Sequence, residues 1–287
     1  RSRQVTGVQT CALPIYMRIT RLHVILLGIQ ILGSLALFGI IALFDPLLAQ
    51  GTFICVMAPT ATSAAVITGM LGGNIAVLAT YTLLSNLTVA TLSPLVFSLI
   101  GSQTALPFFE SFGIVCRQMI PLLILPFVIA VLLKRFAPRI HRQLRERQQI
   151  SFYLWAVALT IVMGNTVAFL MKQDASNYVN EIWMALLALA VCCAQFLAGR
   201  RIGRRYRNKI AGAQGLGQKN TILAIWMAQT YLTPIASVGP AAYVIWQNLI
   251  NSYQLWAKRH REQVLPKKEP VKTPIGLPGT PVIHPQR

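Results

Sequence analysis

Acidic side chains are scarce. Seven Asp and Glu stand against 26 Lys and Arg in 287 residues, and charged residues total only 11%. A soluble domain carries about 25%, so an ordinary soluble fold is excluded, and disorder with it. Histidine is also rare: His23, His141, His260 and His284 lie at the ends of apolar runs or in tails. The five cysteines are odd in number and include the adjacent Cys192 and Cys193, so they form no disulfide framework. No His, Cys, Asp or Glu cluster falls inside an apolar run to hold a metal or run acid–base chemistry. Neither an enzyme nor a metal or cofactor site is expected.

Apolar sequence is abundant. Hydrophobic residues make up 55% and the mean hydropathy is +0.57. Eight runs are long enough to cross a bilayer, which takes about 20 residues each. They cover 22–44, 50–71, 74–101, 112–133, 150–171, 182–199, 210–231 and 234–257. This predicts an all-α polytopic membrane protein with the lipid bilayer as its main partner. Pro94, Pro126 and Pro240 read as kinks.

The net charge of +19 does not mark a nucleic-acid binder, because the cations segregate to one side of the spans. Arg18 and Arg21 precede the first run. Basic clusters fill 134–147 and 200–209, and Lys258, Arg259 and Arg261 follow the last run. The opposite side holds Asp45, Glu110, Asp174 and Glu181 with few cations. The positive-inside rule then places the basic side and the C-terminus in the cytoplasm. Residues 16–258 form the expected membrane domain. Residues 259–287, basic and proline-rich, read as a disordered cytoplasmic tail. Residues 1–15 (RSRQVTGVQTCALPI) match neither signal peptide nor span. They resemble a translated sequencing adapter at a broken gene end, which would make the chain N-terminally truncated.

Two runs are interrupted. The second contains Ala58-Pro59, then Thr60, Thr62 and Ser63. The seventh contains Gly212, Gly215 and Gly217, then Gln218, Lys219 and Asn220. Broken backbone inside a membrane is tolerated only where it is buried in protein or lines a cavity. Paired broken helices in matching positions of two halves point to a transporter site at the midplane. The two runs stand five places apart in the order of spans, an odd number, so the second unit is inverted relative to the first.

At these segments the sequence resembles the bile acid:sodium symporter superfamily. The resemblance rests on Pro59-Thr60-Ala61-Thr62-Ser63-Ala64-Ala65 followed by Gly73-Asn74-Ile75-Ala76, on Gly215 to Ala224, and on Trp246-Gln247-Asn248. It implies ten helices in two inverted five-helix repeats, with two unwound, crossing helices. Eight of the ten spans are present. It also implies secondary transport of a small organic anion, a carboxylate or a bile-acid-like molecule, across the bacterial inner membrane by alternating access. Thr62, Ser63, Lys219, Asn220, Gln247 and Asn248 fall at substrate-binding positions. Capping the half-helices is the competing role of Thr62 and Asn220, and satisfying backbone near the site is that of Gln247 and Asn248.

The departures are informative. Where the family places sodium ligands, this chain has Ala64, Ala65, Gly215 and Lys219; only Gln30 and Thr82 match ion-coupling positions. Sodium needs oxygen ligands and an ammonium supplies none. The usual sodium coupling is therefore not expected. Lys219 is left with three roles: a tethered cation in the ion's place, a partner for the anionic substrate, or a proton-coupling amine. Two other functions stay open. One is a sensor or scaffold that keeps the fold without transport. The other is a sodium-coupled symporter using different ligands. Oligomeric state is not legible.

Overall fold

A computed structural model describes residues 18–100, 148–171 and 178–264, with scattered positions between 109 and 139. The adapter-like segment, Pro126, most of the 134–147 loop and the tail beyond residue 264 lie outside the described residues. Among the described residues all regular structure is helical. The elements are α1 (Arg21–Ala42), α2 (Pro46–Met57), α3 (Ala64–Leu71), α4 (Ile75–Ile100), α5 (Gln148–Met171), α6 (Tyr178–Arg205), α7 (Lys209–Gly217), α8 (Thr221–Tyr231), a 3₁₀ turn (Pro234–Ser237) and α9 (Val238–Val264). Among the described residues, three helical stretches are long and apolar enough to cross a membrane: Arg21–Ala42, Ile75–Ser93 and Tyr178–Arg205. Together with the apolar half-helices they make a multi-pass membrane protein.

Local chemistry sets the helix starts. Thr20 opens α1 through a capping box with His23. The His23 Nδ1 accepts from the Thr20 N–H (2.9 Å), so Nε2 carries the proton and donates to the Val77 carbonyl at 3.0 Å. This ties α1 to the first turn of α4. Asp45 caps α2 by accepting from the Leu47 and Leu48 N–H groups, and Pro46 occupies the first helical position, where no N–H is needed. Pro240 sits in the first turn of α9 rather than kinking it, because the first-turn N–H groups have no helical partner to lose. The last helix runs to Val264, past the expected boundary at residue 258.

The second and seventh runs are each two half-helices. α2 ends at Met57 and α3 begins at Ala64; α7 ends at Gly217 and α8 begins at Thr221. The two gaps meet as an antiparallel bridge between Thr60 and Lys219. The Ala61 N–H donates to the Gln218 carbonyl at 3.0 Å, and the Asn220 N–H to the Pro59 carbonyl at 2.7 Å.

Close backbone contact fixes α7 against α6. A Cβ on Gly199 would fall on the Gly212 carbonyl, and one on Gly212 would fall on the Gly199 carbonyl. Gly203 meets the Asn208 carbonyl in the same way. Small residues allow this approach where lipid gives no hydrophobic drive between helices. Apolar packing completes the core: Phe53, Phe97 and Tyr231 gather beside the crossing, with Phe97 stacked on Tyr231 at 4.9 Å.

Gly199→Val should lower thermal stability in detergent by about 1–3 kcal/mol through overpacking. Gly28→Ala, with open space around the added carbon, should leave the unfolding midpoint unchanged. Thermal unfolding of the two variants checks the contrast.

Candidate substrate and ion site

The break in the second run exposes the carbonyls at the end of α2. In a membrane each must find a partner inside the protein. A chain of polar groups supplies them in order. The Cys55 carbonyl accepts from Gln195 Nε2 at 3.3 Å. The Val56 carbonyl accepts from Lys219 Nζ at 2.8 Å. The Met57 and Ala58 carbonyls share Gln30 Nε2, both at 3.0 Å. The Pro59 carbonyl takes the Asn220 N–H, and the Thr60 carbonyl takes Asn86 Nδ2 at 3.3 Å.

The second break is served in the same way. The Gly215 carbonyl accepts from Thr60 Oγ1 at 2.8 Å, and the Gly217 carbonyl from the Tyr243 hydroxyl at 2.8 Å. Gln247 holds Lys219 by both backbone groups: its Oε1 accepts from the Lys219 N–H (2.9 Å) and its Nε2 donates to the Lys219 carbonyl (3.3 Å). Asn220 caps α8 through the Leu223 N–H at 3.3 Å.

Lys219 is the unusual member, with 1% of its surface exposed. Its amine reaches past the bridge to the C-terminal end of α2, where the helix dipole gathers negative charge. Placing a cation at a span centre costs about 2.5–3.5 kcal/mol. A partly buried cation at a helix C-terminus recovers up to about 2 kcal/mol. A hydrogen bond to a charged donor adds about 1.5–3 kcal/mol. The carbonyl end of α2 thus offsets part of the cost of burying the amine, and among the described residues no carboxylate pairs with it. Among the described residues no group of His, Cys, Asp or Glu is arranged to hold a metal ion.

The structure sorts the expected site residues into two sets. Lys219, Gln30 and Gln247 are buried in the crossing itself. Thr62 is exposed, and Ser63 and Asn220 are partly exposed, around the starts of α3 and α8. Ser63 accepts from Gln218 Nε2 at 3.1 Å, which links the start of α3 to the end of α7. Ser63 is the residue before α3, but its side chain makes no capping bond. Asn248 instead donates back to the Val244 carbonyl at 2.7 Å within α9.

Gln30 is fully used. Its Oε1 accepts from the Tyr81 hydroxyl (2.8 Å) and the Ser85 hydroxyl (2.9 Å), which takes both oxygen lone pairs. No lone pair remains for an ion in this arrangement. The Thr82 carbonyl accepts from Asn86 Nδ2 at 2.7 Å.

Several crossing residues lie outside the family motifs: Tyr81, Ser85, Asn86, Gln195 and Tyr243. Their signal is polarity inside an apolar run. Ser85-Asn86 and Gln195 each sit mid-span, where a polar side chain needs a partner.

Gln30→Leu strips two carbonyls and two hydroxyls of their partner at once. Each orphaned group costs about 1–3 kcal/mol, so the variant should unfold at markedly lower temperature. Asn248→Leu, which loses one bond inside its own helix, should shift the midpoint little. Thermal unfolding of both variants in one detergent checks the ordering.

Comparison with known proteins places the chain among transporters. The chain is similar to the uncharacterized sodium-dependent transporter YocS of Bacillus subtilis (strain 168), at 24% identity over 226 residues. The match covers 75% of this chain and 66% of that protein, so this chain spans just under two thirds of the relative's length. The profile of the SBF-like CPA transporter family matches residues 8–250, nearly all of the membrane-spanning sequence. This accords with the resemblance to the bile acid:sodium symporter superfamily. The chain belongs to the SBF-like CPA transporter family.

Proposed function

We propose that the protein is a secondary active transporter of a small organic anion, with the Lys219 ammonium taking the place of a coupling sodium ion. One observation carries the reading. At the meeting point of two interrupted helices, a buried lysine donates to a helix-terminal carbonyl at 2.8 Å. An ion bound there would supply positive charge to the same oxygens; the lysine supplies it permanently. The antiparallel bridge is the contact expected of two inverted repeats, which supports the ten-span architecture. The starts of α3 and α8 both lie at the crossing. Their N–H groups and dipoles favour an anion, and the accessible Thr62, Ser63 and Asn220 offer it hydrogen bonds. Alternating access follows from movement of the crossing bundle against the other helices. The segregated cations support an inner-membrane protein with its C-terminus in the cytoplasm.

A second reading has its own support: the similar protein from Bacillus subtilis bears the name of a sodium-dependent transporter. On that reading sodium binds through other ligands and Lys219 is structural.

Counterflow in vesicles preloaded with a carboxylate separates these functions. The parent should accumulate labelled substrate equally in sodium and in potassium, and Lys219→Gln should lose most of that uptake while still folding. Uptake that requires sodium would favour the second reading. Ligand binding without counterflow would mark a sensor.

A further inference from the structure

The last helix carries a polar stripe that the crossing only begins to use. Gln247, Asn251, Gln254, Lys258 and Glu262 recur at helical spacing along one face of α9. Gln247 holds Lys219, as described above. One turn on, Gln214 Nε2 of α7 donates to Asn251 Oδ1 (3.1 Å) and to Gln254 Oε1 (3.2 Å). At the far end Lys258 Nζ donates to the Met70 carbonyl near the end of α3 (2.6 Å) and pairs with Glu262 at 3.6 Å. The face therefore packs against α7 and α3. From Gln247 to Lys258 the helix rises about 16 Å, half of a hydrocarbon core about 30 Å thick. The stripe thus runs from the crossing to the basic surface.

Burial along it is graded. Gln214 and Asn251 are fully buried, Gln254 and Lys258 are partly exposed, and Glu262 is exposed. Yet polar atoms at the buried end lack partners: Gln214 Oε1, Asn251 Nδ2 and Thr68 Oγ1. Thr68 belongs to the same seam. A Cβ on Gly73 would touch both Thr68 and Ile210, and Ile210 lies one turn before Gln214 on α7. Turning all three amides over would exchange the unpaired atoms but still leave one donor and one acceptor. Water is the ligand that serves both, accepting from one and donating to the other. Five neutral or oppositely charged side chains in file give it a continuous set of partners.

We propose that the seam between α9, α7 and α3 holds a file of ordered water that enters from the basic face and reaches the crossing at Gln247. This gives the bridge a supply of hydrogen-bond partners from one side of the membrane only. The inference stands apart from the cargo and from whether the protein transports it.

The test measures access rather than transport. In full-length protein with Cys11, Cys55, Cys116, Cys192 and Cys193 replaced by alanine, Asn251→Cys, Gln254→Cys and Leu249→Cys are reconstituted in vesicles. Leu249 lies on the opposite, outward face of α9. Silver ion, small enough to follow a water path, is added from either side, and remaining thiols are then alkylated after solubilisation. Silver from the basic side should abolish later alkylation at positions 254 and 251, and silver from the other side should not. The thiol at 249 should stay alkylatable in both cases. A thiol at 251 that survives silver from both sides means a dry seam and overturns the proposal. Protection of 251 by sodium over potassium would overturn it too, because the site would then belong to a cation. Hydroxyl-radical footprinting of the protein with its native cysteines gives a second reading: oxidation at Ile210 and Met70 supports the water file, and its absence there opposes it.

Discussion

An interrupted helix inside a bilayer must satisfy its own backbone. The cost of an unpaired peptide group in hydrocarbon is several kcal/mol, and two breaks here meet at one point. The structure answers by pairing the breaks with each other. The Thr60–Lys219 bridge takes two N–H groups and two carbonyls, and side chains from α1, α4, α6 and α9, with those of Thr60 and Lys219 themselves, serve the groups around it. The surrounding helices are arranged to deliver those side chains.

That arrangement explains why a lysine is tolerated where the membrane is least forgiving. Its amine serves the backbone network as one more donor, placed on the Val56 carbonyl next to the carbonyls held by Gln195 and Gln30. The same position makes it sensitive to motion. Any rearrangement that parts the bridge also moves the cation relative to the end of α2. In the proposed transport cycle, a fixed charge there would bias the conformations as a bound ion would, because only differential interaction shifts the balance between states.

The sequence made the breaks legible, since Pro59 and the clustered Gly212, Gly215 and Gly217 have no place in an ordinary span. It also marked Lys219, as a cation with no acidic neighbour in any run. It did not reveal which polar residues would meet. Gln30 reads as an ion ligand from its family position, and only the geometry shows its oxygen taken by Tyr81 and Ser85. Asn86, Gln195 and Tyr243 carry no motif and stand 26 to 140 residues from their partners on other elements, and long-range pairing of this kind leaves no local periodicity. Pro240 misleads for a different reason: its role depends on where α9 begins, and the preceding 3₁₀ turn moves that start next to it.

The central claim is that Lys219 does the work of an ion. Thermal unfolding of the purified protein against a panel of small carboxylates and bile acids, in sodium and in potassium, tests it most directly. A carboxylate at 100 times its dissociation constant should add about 2.7 kcal/mol of stability. The account predicts the same shift in both salts for the parent and no shift for Lys219→Ala. A shift that appears only in sodium, and survives in Lys219→Ala, would contradict it.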